Sequence, residues 1–207
     1  LLESRGLGDV YKRQHKICLN SDAVLFGAVG DPKYDNNPTA KVRPEEGLLR
    51  MRKELGLFAN IRPTYTFESL LEKSPIKKSI IQGTDLVFVR ELTGGIYFGK
   101  RGRNNAKDYA FDTCEYNVDE IKRLAKVGFE LAMKRSKKLC CIDKANVLET
   151  SRLWRQTVQS LEKNYPEVSV SYEFVDAVAM RLIHSPSYYD VLITSNLFGD
   201  ILTDEAS

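Results

Sequence analysis

The sequence predicts an α/β protein built around a largely parallel β-sheet. Short, continuously apolar runs indicate strands that are covered on both faces, and amphipathic helical patterns separate these runs. Hydrophobic residues make up 43% of the 207 residues and charged residues 29%, which is a globular rather than a disordered composition. Strands that alternate with helices in this way favour crossover units over an all-β or all-α fold.

The first half of the chain is predicted to contain three strands and one helix. The helix begins at Pro44, which is tolerated in a first turn, and ends at Leu55 before Gly56. The predicted strands, each a short apolar or aromatic run, are 23–29, 85–91 and 96–99. Residues 100–109 are basic and contain glycine, which is typical of an exposed hairpin arm.

The second half follows a regular strand and helix rhythm. Its first helix, 118–135, has seven apolar positions with a 3.6-residue period and is the clearest element of the chain. The elements predicted after it are strand 139–143, helix 149–163, strand 168–174, helix 177–183, strand 191–194 and a helix from 197. The pattern does not decide whether strand 168–174 runs parallel or antiparallel to its neighbours.

Both ends of the chain look unusual for a complete protein. Residues 1–14 show no periodicity that continues into the following segment, so residues 1–20 are interpreted as a tag or an artefact outside the domains. At the other end, residues 197–207 still have a helical pattern at the last residue, without a glycine or proline to stop it. We therefore expect a truncated chain.

Charge and cysteine usage exclude several function classes. Lys and Arg number 31 against 28 Asp and Glu, and the basic residues are scattered, which argues against nucleic acid as a partner. No run approaches the roughly 20 apolar residues that span a membrane, and no secretory signal is present, so a cytoplasmic location is predicted. The cysteines lack metal-site spacing and are interpreted as reduced, buried thiols: Cys18, Cys114, Cys140 and Cys141.

Polar residues follow the predicted strands, and in a parallel sheet this is the edge where ligands bind. They are Arg90, Lys144, Asn146, Asp176, Asn196, Asp200 and Asp204. Asp200 and Asp204 are four residues apart on one helix, so their carboxylates share a face and could hold Mg²⁺ or Mn²⁺. A solvated acidic helix face has the same spacing, so the pattern alone leaves both interpretations open.

Three arginines, Arg52, Arg62 and Arg90, could bind a small polyanion, because guanidinium groups bind carboxylates in a bidentate manner. Arg90 lies within an apolar run, where its charge needs either an ion pair with Glu91 or a substrate anion. Two histidines and no nucleophile motif leave no candidate for a hydrolase triad. Acid and base chemistry would then fall to Lys, Tyr, Asp or Glu.

Five ordered segments carry a resemblance to a known family. They are RPEEGLLRMRKELGLFANIRP (43–63), VRELTGGIYFGK (89–100), IDKANVLETSRLWR (142–155), FVDAVAM (174–180) and SNLFGDILTDEAS (195–207). Together they resemble the metal-dependent β-decarboxylating dehydrogenases, which include isocitrate, isopropylmalate, homoisocitrate and tartrate dehydrogenases. The resemblance covers residues 22–207 and implies the two-domain, non-Rossmann fold of that family, here incomplete.

The resemblance implies a small-molecule site that binds a malate derivative, NAD and a divalent cation. It assigns the two malate carboxylates to Arg52, Arg62 and Arg90. It assigns Mg²⁺ or Mn²⁺ to Asp200 and Asp204, together with Asp176 from a partner subunit.

The same resemblance implies the groups that act in catalysis. Tyr97 and Lys144 are the implied acid and base, with Lys144 again supplied by the partner of a homodimer. Asn146 would lie near the nicotinamide, and Glu45 beside both substrate and cofactor. The segment whose loop distinguishes NAD from NADP in the family lies outside the resemblance, so that choice is left open.

Substrate choice within the family is expected at helix 45–55. Leu48 and Leu49 suit an isopropyl group and would penalise the third carboxylate of isocitrate, although both could simply be core positions of an amphipathic helix. The implied reaction is the oxidative decarboxylation of 3-isopropylmalate to 2-oxoisocaproate in leucine biosynthesis. The alternatives are a homoisocitrate, tartrate or other alkylmalate dehydrogenase, or an inactive fragment.

The implied organisation has two parts. Residues 21–57 would be a remnant of the cofactor domain, and residues 58–207 a second domain with the substrate, metal and dimer contacts. Residues 100–112 are either an arm that contacts the other subunit or an exposed loop.

Overall fold

The structure is a computed structural model that describes residues 13–30 and 44–207. The chain divides into two compact units, 1–57 and 58–207. Of the N-terminal stretch set aside above, residues 1–12 lie outside the described residues. Within the described residues, no helix is both long and apolar enough to span a bilayer.

The described residues of the first unit, 13–30 and 44–57, include two helical segments, residues 13–19 and α1 (Pro44–Glu54). Helix α1 confirms the prediction for this segment, with Glu45 and Glu46 in its first turn. The predicted strand 23–29 is wrong, because these residues have no regular structure and are exposed. An isolated strand cannot pair its backbone groups, and the described residues of this unit contain no other extended segment that could do so.

The second unit alternates strands and helices. Its elements are β1 (Ala59–Tyr65), α2 (Lys78–Ile81), β2 (Asp85–Glu91), β3 (Arg101–Arg103), β4 (Ala110–Asp112), α3 (Val118–Met133), β5 (Lys138–Asp143), α4 (Glu149–Glu162), β6 (Ser169–Phe174), α5 (Val175–His184), β7 (Val191–Thr194) and α6 (Asn196–Glu205). Strands β3 and β4 form the predicted hairpin arm. A capping box at Asn117 fixes the start of α3, because the Asn117 side chain accepts from the Glu120 amide and the Glu120 side chain accepts from the Asn117 amide.

Five strands form one sheet in the order β1-β2-β7-β5-β6. Strands β2, β7, β5 and β6 are parallel, which settles the direction of β6, while β1 pairs with β2 in the antiparallel direction. The sequence pattern does not predict β1. This edge strand alternates between half-buried and exposed residues and contains Pro63, which only an edge strand tolerates readily.

Alternate residues of the central strands face two separate cores. On β5, Leu139 and Cys141 join the core beneath α3 and α4, whereas Cys140 and Ile142 join the core beneath α5 and α6. The helices therefore cover both faces of the sheet, as the continuously apolar strands predict. The cysteine prediction is confirmed for Cys140 and Cys141 but is wrong for Cys114, which is exposed, and for Cys18, which is half-buried.

The predicted aromatic strand 96–99 is also wrong. Residues Gly95–Tyr97 form a 3₁₀ turn, and Gly95 has a φ of 73° that would be strained in any other residue. The aromatic side chains suggested a strand, but the Gly94-Gly95 pair lets the ring of Tyr116 pack directly against the backbone. This turn places Tyr97 at the carboxyl edge of the sheet.

Packing of α3 on the sheet requires a glycine at position 128. A Cβ atom there would lie 2.3 Å from Cγ2 of Ile193. We expect Gly128→Ala to lower the free energy of unfolding by about 1 to 3 kcal/mol, because the overpacked core outweighs the better helix propensity of alanine. Chemical denaturation measures the change.

The matched control is Gly47→Ala in α1, where a Cβ atom would meet nothing within 4 Å. That variant should be neutral or gain up to about 1 kcal/mol. Equal behaviour of the two variants would contradict the packing of α3 described here.

Candidate active site

The candidate site lies at the carboxyl edge of the parallel strands. The strand register brings the ends of β2, β7 and β5 level, with Arg90 beside Thr194 and Thr194 beside Ile142. Helix α6 begins immediately after β7, and α5 begins immediately after β6. Short connections of this kind hold the polar residues that follow each strand close to the edge.

Arg90 is the buried cation of this edge, with only 5% of the residue exposed. Its Nε and Nη2 donate to Oδ1 of Asn196 at 3.2 and 2.9 Å, and its Nη1 donates to Oδ1 of Asp200 at 2.5 Å. The predicted ion pair between Arg90 and Glu91 is wrong. Neighbouring residues of a strand face opposite sides, and Glu91 instead pairs with Arg123 at 3.7 Å.

Tyr97 is joined to the same carboxylate. Its hydroxyl donates to Oδ2 of Asp200 at 2.6 Å, so one aspartate accepts from both Tyr97 and Arg90. Gly199 makes this approach possible, because a Cβ atom there would lie 2.5 Å from Cγ of Arg90. The helix that carries Asp200 can therefore pack directly on the Arg90 side chain.

Arg62 and Asp204 extend this group along the edge. Arg62 lies on β1, and its Nη2 is 3.6 Å from Oδ1 of Asp204, one helical turn beyond Asp200. Both side chains are substantially exposed, at 42% and 78%. The five residues Arg62, Arg90, Tyr97, Asp200 and Asp204 are called the Arg90 cluster below.

The Arg90 cluster fits a hard divalent cation in the type of its donors but not in their number. Asp200 and Asp204 offer carboxylate oxygens on one helix face, which is the chemistry that Mg²⁺ and Mn²⁺ prefer. No group of three or more His, Cys, Asp or Glu residues capable of holding a metal occurs among the described residues. A cation here would need further ligands from water, substrate or another subunit.

Lys144 and Asp176 form a second, separate pair. Nζ of Lys144 donates to Oδ1 of Asp176 at 2.7 Å, and this hydrogen bond lowers the pKa of the Asp176 carboxyl below its usual value. Neither residue bonds to Asp200 or Asp204 within the part of the chain that the structure describes. The structure thus brings together Arg62, Arg90 and Tyr97, but leaves Lys144 and Asp176 apart from them.

A buried ion pair shapes the loop that carries Lys144 and Asn146. Asp143 is 1% exposed and accepts two hydrogen bonds from Arg155, at 2.8 and 2.9 Å. The same carboxylate accepts from the Ala145 amide at 2.9 Å, which fixes the turn directly after β5. Asn146 follows in this loop with its side chain exposed.

The remaining predicted residues lie on α1 in the first unit. Glu45, Leu48, Leu49 and Arg52 are spaced at three and four residues, so they share one face of that helix. Glu45 is exposed and the other three are half-buried.

Two residues of this edge, Asn196 and Tyr116, have roles that the sequence pattern does not predict. Asn196 appeared only as a polar residue after a strand, yet it is fully buried and bonded to Arg90. Tyr116 accepts from the Asn196 amide at 2.9 Å, and burial raises the pKa of its phenol. The available signal was the Gly94-Gly95 pair, since adjacent glycines often allow a close approach to the backbone.

Comparison with known proteins gives one consistent family. The sequence profile of the isocitrate/isopropylmalate dehydrogenases matches residues 8–207. A 3-isopropylmalate dehydrogenase of Bacteroides fragilis is 57% identical over 202 residues, which cover 97% of this chain and 57% of that protein. One of Aquifex aeolicus is 54% identical over 194 residues, covering 92% of this chain and 53% of that protein.

Solved structures agree with this result. The crystal structure of isocitrate dehydrogenase from Methylococcus capsulatus superposes with a TM-score of 0.70 and 32% identity, over 76% of this chain and 46% of that one. The present chain therefore spans about half the length of the curated relatives that it matches.

The Lys144 and Asp176 pair gives a testable titration. We expect Lys144→Met to raise the pKa of Asp176 towards that of an ordinary aspartate, because the lysine hydrogen bond is the largest influence that lowers it. In the wild type, the Asp176 carboxylate should accordingly stay ionised at a pH below the usual pKa of an aspartate. The ion pair should then break as the pH falls through the depressed pKa of Asp176. Carbon-detected NMR of the carboxyl groups in metal-free protein measures both values.

Lys137→Met is the matched control, because Lys137 forms a similarly exposed ion pair with Glu167. Lys137→Met should raise the pKa of Glu167, which the Lys137 hydrogen bond lowers, and should leave the pKa of Asp176 unchanged. An unshifted Asp176 in Lys144→Met would show that the described pair does not form.

Proposed function

Because the chain belongs to the isocitrate/isopropylmalate dehydrogenase family, we propose that the protein is an oxidoreductase that converts 3-isopropylmalate to 2-oxoisocaproate. The reaction would be an oxidative decarboxylation with NAD⁺ in leucine biosynthesis. The observation that carries the proposal is the Arg90 cluster, in which a buried guanidinium, a phenol and two carboxylates converge at one edge of the sheet.

The arginines of the proposal bind the two carboxylates of the malate moiety. Arg90 uses three of its five N–H donors in bonds to Asn196 and Asp200, which leaves one on each terminal nitrogen for an anion. Arg62 is partly exposed and can turn from Asp204 towards a carboxylate. Arg52 would supply the third guanidinium from α1.

The carboxylates of this arrangement suit the proposed cation in donor type. Asp200 and Asp204 would hold Mg²⁺ or Mn²⁺ with Asp176 of a second subunit, and Glu45 and Asn146 would serve the NAD⁺ side of the site. When bound, the cation would acidify the substrate hydroxyl and stabilise the enolate left by decarboxylation, and NAD⁺ would accept the hydride.

Two residues would move protons. Lys144, in its neutral form, would accept the proton of the substrate hydroxyl at Nζ, directly or through water. The Tyr97 hydroxyl, which Asp200 orients, would donate a proton to the enol carbon after carbon dioxide leaves. Before substrate binds, Asp200 accepts that proton in a hydrogen bond, so the hydroxyl would turn from Asp200 to the enol carbon during the reaction.

The proposed site is shared between two subunits of a homodimer. Lys144 and Asp176 bond to each other and not to the two carboxylates of the Arg90 cluster, which supports their use in the site of a neighbouring subunit. The hairpin of β3 and β4 is a second candidate contact, since it exposes Tyr109 and Phe111. The cytoplasmic location stays a prediction.

Leu48 and Leu49 support an alkyl substituent on the substrate. Both are half-buried on the helix face that carries Arg52, so an isopropyl group bound near that arginine would meet apolar side chains. A third carboxylate, as in isocitrate, would lose hydration there without gaining a partner.

The first test is substrate choice by the complete protein. With NAD⁺ and Mn²⁺ we expect NADH formation from 3-isopropylmalate with a kcat/KM at least about 100-fold above that for isocitrate, because the leucines penalise a buried charge. EDTA should abolish turnover and Mn²⁺ should restore it. A preference for isocitrate, homoisocitrate or tartrate would replace the proposed substrate with that acid.

The second test is complementation between two inactive variants. Lys144→Met should lose about 100-fold or more in kcat while retaining the wild-type fold, and Arg90→Ala should lose substrate binding. Subunits of the two variants, mixed by unfolding and refolding, should regain about a quarter of the wild-type activity, because half of the dimers are mixed and each has one intact site. The control is a mixture of Arg90→Ala and Asp200→Asn subunits. Both substitutions affect the part of the site that comes from the same subunit, so neither site of a mixed dimer is intact and activity should not recover. No recovery in the first mixture would contradict the shared site.

A further inference from the structure

We propose that Asn196 is a positioning residue that fixes both the Arg90 guanidinium and the backbone of the turn that carries Tyr97. The inference rests on the proposed function only for the roles of Arg90 and Tyr97 towards substrate. Its structural content stands on the contacts of Asn196 themselves.

The two ends of the Asn196 side chain have partners of opposite polarity. Oδ1 accepts from Nε and Nη2 of Arg90, at 3.2 and 2.9 Å, and Nδ2 donates to the Gly94 carbonyl oxygen at 3.1 Å. The residue is fully buried, so water does not compete for these bonds. The carboxamide of asparagine has an oxygen that accepts from a cation and a nitrogen that donates to a carbonyl. Aspartate has the same length but, when ionised, offers only acceptors.

The bond to Arg90 sets the direction of its free donors. Asn196 accepts from two nitrogens of the guanidinium plane and Asp200 from the third, so the plane cannot rotate without breaking at least one bond. The backbone of Gly199 lies against the aliphatic part of Arg90, which limits movement of the side chain stem. The direction of each of the two remaining N–H groups is therefore fixed before an anion arrives.

The bond to Gly94 acts on the Tyr97 turn. The Gly94 amide donates to Glu91 at 2.7 Å while the Gly94 carbonyl accepts from Asn196, so this residue is held on both sides. Tyr116 adds a further restraint, because its hydroxyl accepts from the backbone amide of Asn196. Its ring lies against Gly95, where a Cβ atom would be 2.3 Å from the Tyr116 hydroxyl oxygen.

Asn196 thus connects an anion-binding group and a proton donor that belong to different segments of the chain. It lies at the first position of α6, and Arg90 and Gly94 lie at and just beyond the end of β2. Through these two contacts, one side chain acts on both the Arg90 guanidinium and the backbone that leads to Tyr97, in addition to the direct bonds that Asp200 makes with both residues.

The experiment uses Asn196→Ala and Asn196→Asp in the complete protein. Alanine removes both contacts, whereas aspartate keeps the acceptor for Arg90 and loses the donor to Gly94. In a double-mutant cycle, we expect Asn196→Ala to lower kcat/KM about 30-fold in the wild type but only about three- to fivefold in the Arg90→Lys background, where the contact to Gly94 is the one still lost. Equal losses in the two backgrounds would show that Asn196 does not act through Arg90.

A second measurement does not depend on turnover. In protein labelled with ¹⁵N-arginine, the Arg90 Nε–H signal, assigned by its loss in Arg90→Lys, should exchange with deuterium about tenfold faster or more in Asn196→Ala. Asn196→Asp should keep the signal protected and still lower kcat, because the Gly94 carbonyl then faces an oxygen. Unchanged protection in Asn196→Ala, or lost protection in Asn196→Asp, would overturn the assignment.

Ser136→Ala is the matched control for a simple loss of stability. Ser136 bonds to the buried carboxylate of Asp190 at 2.6 Å, next to the opposite ends of the strands. That variant should lower the free energy of unfolding while leaving the deuterium exchange of Arg90 Nε–H and kcat/KM unchanged. If Ser136→Ala also lost Arg90 protection and kcat/KM, the effects of Asn196→Ala would reflect only a loss of stability. A wild type that oxidises none of the substrates would refute the proposed function, and the exchange measurement would still decide the inference.

Discussion

Arg90 lies one residue before the end of β2, and almost none of its surface is exposed. A buried guanidinium charge is stable only when acceptors surround it. Asn196 and Asp200 supply those acceptors, and both come from the helix that begins directly after β7. Close packing of that helix depends in turn on Gly199. The buried charge therefore dictates the residue at several positions of α6.

The Arg90 cluster is balanced in charge. Two guanidinium groups, from Arg62 and Arg90, face two carboxylates, from Asp200 and Asp204. A dicarboxylate substrate adds two negative charges and a divalent cation adds two positive ones, so the balance is kept only when both bind. This fits a reaction in which the proposed substrate and cation occupy the site together.

The sequence predicted the central elements well, because strands such as β5 and β7 are apolar throughout and are buried on both faces. It failed where a neighbour decides the outcome. Residues 23–29 have a strand composition but no paired strand in the described part of their unit, and β1 looks unfavourable alone but is stabilised by β2. The position of Arg90 in an apolar run showed that it needed a counter-charge. Its actual partner, Asp200, is 110 residues away, beyond any local pattern.

That separation has a kinetic consequence. Strand β2 pairs with β7, the last strand of the sheet in chain order, and β5 and β6 lie on the far side of β7. Closing so long a loop is entropically costly, and native contacts between distant residues slow folding. The cluster should then be among the last parts of the molecule to assemble during refolding, and a folding intermediate that already contains α3 and its local contacts would still be unable to bind an anion at Arg90.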